Sequence, residues 1–201
     1  MFLCLLILNN INNIQMKQKY LNYLTAGALC VPLVCCTPQQ QQATEEGYSW
    51  KDELKEEIPL VGHRNWIVIA DMAYPLQTQP GIKTIFADEP YIDILTYVYN
   101  EIEKAPHIRP LIYQDKELSF LSDKDAAGVD ALKNDIKALL GNQVSPVPHE
   151  ELIARLDEVS QMFNVIIIKS SLTIPYTSTF FELDCAYWSA SSQQALEERM
   201  K

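Results

Sequence analysis

The chain has 201 residues, 48% of them hydrophobic and 21% charged, and a net charge of −10. That length and hydrophobic content suit one domain with a sizeable core plus a tail, and they exclude a disordered chain. The acidic balance repels phosphate backbones, so nucleic acid is not an expected partner.

In chain order, Met16-Lys17-Gln18-Lys19 reads as a basic start. The apolar run Leu21 to Val34 follows, ending at Cys35-Cys36 and the polar tract Thr37 to Gln42. This order resembles a bacterial lipoprotein signal, with Met16 as the true start and Cys36 as the acylated residue. The run is shorter than the ~20 residues a membrane span needs. The expected organisation is a leader over 1–36, a tether over 37–48, an α/β domain over 49–188 and an extension over 189–201. The expected location is the bacterial cell envelope, lipid-anchored or secreted, with membrane contact through the lipid alone. Four of the five cysteines fall in the leader, so Cys185 is alone in the body and is expected to act as a small buried hydrophobe.

Ser49 to Ile58 reads as a helix, with Ser49 and Asp52 at capping-box spacing. The β-branched run Trp66–Ala70 reads as a buried strand, and the loop from Met72 to Gly81 leads to a second strand, Ile82–Phe86. Asp88 is expected to cap a helix from Glu89 to Lys104, striped by Tyr91, Leu95, Val98 and Ile102. Ile108–Tyr113 reads as a strand broken by Pro110. Asp123–Leu140 reads as a helix stopped by Gly141, and Pro148 introduces another from His149 to Phe163. Val165–Ile168 and Thr179–Leu183 are the last strands, and Ser189–Lys201 is a frayed helix. Strands alternating with helices predict a layered α/β/α domain with a largely parallel or mixed sheet.

The residues with chemical potential fall at the ends of these strands. Gly62-His63 precedes the first strand and Asp71 ends it, in Asp71-Met72-Ala73-Tyr74-Pro75. Pro148-His149-Glu150-Glu151-Leu152 opens a helix, and Tyr176-Thr177-Ser178 precedes the last strand. In this order they resemble the D-ribose pyranase and L-fucose mutarotase family, over residues 50–188. The resemblance implies an isomerase that interconverts ring or anomeric forms of a free monosaccharide. Such a reaction needs an imidazole to exchange protons and groups to hold sugar hydroxyls, and it requires no cofactor and no metal.

By the same resemblance, His63 and Asp71 are the catalytic residues, and His149, Tyr176 and Ser178 bind the sugar. Ser178 stands where the family has Asn, and the acid usually found before that Tyr is missing. These departures keep open an alternative, a non-catalytic sugar-binding or assembly lipoprotein on the same scaffold. His63 and Asp71 lie eight positions apart along a mostly extended path, roughly 20–25 Å. The expectation is therefore a homo-oligomer with sites shared between subunits. No nucleophile elbow, phosphate loop or zinc-binding helix motif is present.

Overall fold

A computed structural model describes residues 48–201. The leader, Cys36 and nearly all of the tether lie outside the described residues. Five α-helices and six strands follow in the order α1 (Trp50–Glu57), β1 (Trp66–Ala70), β2 (Ile82–Phe86), α2 (Tyr91–Lys104), β3 (Ile108–Asp115), α3 (Val129–Leu140), β4 (Val144–Val147), α4 (His149–Val159), β5 (Val165–Lys169), β6 (Thr179–Cys185) and α5 (Ala190–Arg199). A 3₁₀ turn, Lys116–Phe120, follows β3.

The strands form one mixed sheet in the order β2-β5-β1-β6-β3-β4. β1 pairs in parallel with β5, β5 with β2, and β3 with β4, whereas β6 runs antiparallel between β1 and β3. The carboxyl ends of five strands and the amino end of β6 therefore share one edge of the molecule. Every residue of β1 is buried. Ile67 and Ile69 join a core with α1, α2 and α3 on one face, while Trp66, Val68 and Ala70 join a second core with Leu152 and Leu156 of α4. A strand covered on both faces reads as a continuous apolar run, which is why the β1 sequence does not alternate. Phe180 and Phe181 make the same division on β6, one ring to each core.

The capping box forms as spaced, with the Ser49 side chain accepting from the backbone of Asp52 and the Asp52 side chain from that of Ser49. Several boundaries differ from expectation. Pro110 does not break β3, because β4 pairs only with Ile112–Asp115 and at Pro110 the outer side of β3 needs no donor. β4, Val-Ser-Pro-Val, is a strand that the expected elements did not include, and it accommodates Pro146 because it lies at the sheet edge. Asp88 does not cap α2: Pro90 occupies that position and presents no side-chain cap. α3 starts at Val129 rather than Asp123, after Gly128 turns the chain at φ 88°, where a residue with a Cβ is disfavoured. Cys185 is half-buried at the end of β6.

Candidate functional site

The edge where the parallel strands end carries a cavity of about 560 Å3, within the roughly 300–1,000 Å3 usual for small-molecule sites. Asp71 and Tyr74 from the loop after β1, His149 and Glu150 from the start of α4, and Tyr176 from the segment before β6 line it. Ligand sites in open α/β sheets favour this edge, since loops from several strands converge there.

His149 sits in the first turn of α4, directly after β4. Its Nδ1 lies 3.0 Å from Oδ1 of Asp115 at the end of β3. The Asp115 side chain is fully buried, and its Oδ2 has no hydrogen-bond partner among the described residues. Burial pushes this carboxyl up to about 6, with His149 pulling it down and the nearby Glu117 pushing it up further. At neutral pH it is mainly ionised and accepts the Nδ1 proton. The imidazole is thereby held as the tautomer with its lone pair on Nε2. Both carboxylate oxygens of Glu117 accept from the backbone N–H of His149, at 3.2 and 3.1 Å, which caps α4 where Pro148 offers no side-chain cap.

The Tyr176 ring meets the His149 imidazole edge-on, 5.6 Å between centroids at 83°. Its backbone is in the left-handed region, φ 57°, unfavourable for a residue with a Cβ. The following residues hold it there. The buried Tyr91 hydroxyl donates to the Thr177 carbonyl at 2.5 Å and shares a hydrogen bond with Thr179 Oγ1 at 2.7 Å. Tyr91 thus packs on its helix stripe, as expected, and also anchors the segment beside the cavity. Asp71 Oδ1 accepts from the backbone N–H groups of Ala73 and Tyr74, at 2.7 and 3.1 Å, closing its own turn. The N–H of Met72 donates to the Leu172 carbonyl at 2.8 Å and ties that turn to the loop after β5.

Of the residues singled out from sequence, Asp71, His149 and Tyr176 come together at this cavity. Ser178 is 1% exposed and is not among the lining residues. His63 lies before the other end of β1, with Nδ1 3.0 Å from Asp184 Oδ1 and more than half of its side chain exposed. Arg109 also binds Asp184 and holds that carboxyl below the usual range. Within one chain His63 and Asp71 are therefore at opposite ends of a fully extended strand.

Asp115 was not visible as a functional residue in the sequence. The available signal was its position, a carboxylate at the end of a strand, much as Asp71 directly follows β1. Glu117 had no such signal, because its role depends on α4 starting beside the 3₁₀ turn.

No protein-family model matches the chain, and no curated protein matches it. Among solved structures, RbsD of Bacillus subtilis, complexed with D-ribose, overlaps it with a TM-score of 0.47 at 17% identity, over 66% of this chain and 91% of that one. The fucose mutarotase of Streptococcus pneumoniae, in complex with L-fucose, gives 0.45 at 16% identity, over 66% and 91%. FucU of Bifidobacterium longum gives 0.42 at 13% identity, over 66% and 93%. Each is a partial likeness at low identity.

Proposed function

We propose that this chain binds a free monosaccharide in the cavity at the carboxyl edge of its sheet and interconverts the sugar's ring or anomeric forms. The observation that carries the reading is the His149–Asp115 pair, an imidazole at a sugar-sized cavity backed by a buried carboxylate. Ring opening needs one proton delivered to the ring oxygen and one removed from the anomeric hydroxyl, and closure reverses the two transfers. His149 Nε2 is the atom for these exchanges, with Asp115 stabilising the imidazolium that forms. In this proposal the Tyr176 hydroxyl and the Asp71 carboxylate hold sugar hydroxyls. The order of the Gly-His, Asp-x-x-x-Pro, Pro-His-Glu and Tyr-x-Ser segments along the chain supports the same reading.

In this proposal His63 takes part only from a neighbouring copy, in a homo-oligomer whose sites are shared. Anomer exchange followed by NMR saturation transfer tests the whole. Wild type accelerates exchange of at least one pentose or hexose, and His149→Ala lowers that acceleration ~10²–10⁴-fold. If no sugar exchanges faster than in buffer, the enzyme reading fails. If His149→Ala matches wild type, the assignment of the acid–base group fails. A His63→Ala variant with unchanged exchange removes the shared site.

A second reading is a non-catalytic sugar-binding module. Asp71 is engaged in its own turn and Ser178 is buried and does not line the cavity, which leaves fewer groups to grip a reacting sugar. Calorimetry separates the two, since binding without faster exchange supports this reading alone.

A further inference from the structure

Tyr176 is the group at the cavity whose position the fold has to enforce. Its backbone sits at φ 57°, a region that is unfavourable for a residue with a Cβ, and strain of this kind persists only where the surroundings impose it. Packing behind the segment does not impose it. Thr173 and Ile174 line the cavity of about 560 Å3 and also a second one of about 420 Å3, which Tyr91 and Leu132 help to wall. A segment bordered by two cavities depends on the hydrogen bonds at its ends.

At the near end, the Leu172 carbonyl accepts from the Met72 N–H, and the Leu172 N–H donates to Ser170 Oγ at 3.3 Å. At the far end, Thr177 Oγ1 donates to the Ile174 carbonyl at 3.0 Å, and the Tyr91 hydroxyl donates to the Thr177 carbonyl at 2.5 Å. A phenol has one proton, and a carbonyl can only accept it. The 2.7 Å bond between Tyr91 and Thr179 therefore runs from the Thr179 hydroxyl to the Tyr91 oxygen. Burial raises the pKa of the Tyr91 phenol, against the pull of that Thr179 bond, so its proton stays in place. Both bonds are directed, and both are buried, where hydrogen bonds are strongest.

Tyr91 is itself firmly held. It is the first residue of α2, and Ile94, Leu95, Val98 and Ile102 of that helix are fully buried in the core. It is not among the residues lining the proposed sugar cavity, so any effect it has on a sugar must pass through the segment it anchors.

We infer that Tyr91 is a positioning residue for the site: from the buried start of α2 it fixes the Thr177 backbone and so holds the Tyr176 ring at the cavity, edge-on to His149. This rests on the monosaccharide reading and goes beyond it, by assigning part of the sugar affinity to a residue that never meets the sugar.

Two measurements on the full chain test it. The first needs no sugar: the imidazole C–H resonances of His149 are followed by NMR and identified by their loss in His149→Ala. Tyr91→Phe keeps the ring in the core and removes only the hydroxyl, and these resonances shift as the Tyr176 ring leaves its edge-on contact. The second is calorimetric titration, with a free pentose or hexose, of wild type, Tyr91→Phe, Tyr176→Ala and the double variant. Tyr91→Phe weakens binding ~3–10-fold, but less than about twofold when Tyr176 is already alanine.

Equal losses of affinity in both backgrounds would mean that Tyr91 supports the fold at large; the inference then fails while the monosaccharide reading stands. Unmoved His149 resonances in Tyr91→Phe overturn it as well, whether or not a sugar binds. If wild type binds no free sugar, the monosaccharide reading falls and the assignment of affinity falls with it. Should Tyr91→Phe not fold, Thr179→Val keeps the side-chain shape and removes one of the two bonds. It must show the same coupling to Tyr176 at smaller size, and independent effects there overturn the inference.

Discussion

Asp115 carries a proton affinity that makes the fold sensitive to pH. Its carboxyl is raised from 3.8 to about 6 by burial. From about pH 4 to pH 6 the unfolded chain gives up this proton while the folded chain keeps it, so this residue's contribution to stability falls as pH rises. The loss is complete above about pH 6 and amounts to about 2–3 kcal/mol. Asp115→Asn removes the titration. Melting temperatures of the two proteins, compared from pH 4 to pH 8, should show wild type losing ground to the variant across that window and a constant offset above it. A constant offset throughout would mean that Asp115 titrates normally. Proton exchange should respond in the opposite sense. Above about pH 6 the ionised carboxylate stabilises an imidazolium, so accelerated anomer exchange in wild type should fall off below that pH.

At the level of elements, the start of α4 is the weak joint of the site. Pro148 gives the helix no side-chain cap, and Glu117 supplies the missing acceptor from the 3₁₀ turn after β3. A carboxylate at a helix N-terminus also meets the positive end of the helix dipole. Glu117→Ala should cost about 1 kcal/mol in chemical denaturation. It should also lower anomer exchange more than it lowers sugar affinity, because His149 sits in the released turn. Glu117→Gln keeps an acceptor and should recover most of the stability. If the alanine variant loses neither stability nor exchange, the cap is not what positions His149.

For the molecule as a whole, the two cores on either face of the sheet include all the large fully buried side chains among the described residues, and α5 buries none of its residues. A helix of ten residues with no buried face adds little to a fold. Ending the chain after Trp188 should leave the denaturation midpoint of the body within about 0.5 kcal/mol of the full chain. A larger loss would mean that the extension packs against something, which a measurement of oligomeric state on both proteins would reveal.

The strands Trp66–Ala70 and Ile82–Phe86, the run Val165–Ile168 and the inward stripe of α2 were readable along the chain, because β-branched runs and 3.6-residue periodicity are local properties. So were Asp71, His149 and Tyr176 as residues at element ends. The tertiary structure decided their company. Inserting β6 antiparallel between β1 and β3 brings Tyr176 to the edge where His149 stands, and it leaves His63 at the opposite edge with Asp184. Asp115 gains its importance from burial behind the α4 imidazole, 34 positions away in sequence. Desolvation and hydrogen bonding depend on what surrounds a group in space, so neither could be read from the residues beside it in the chain.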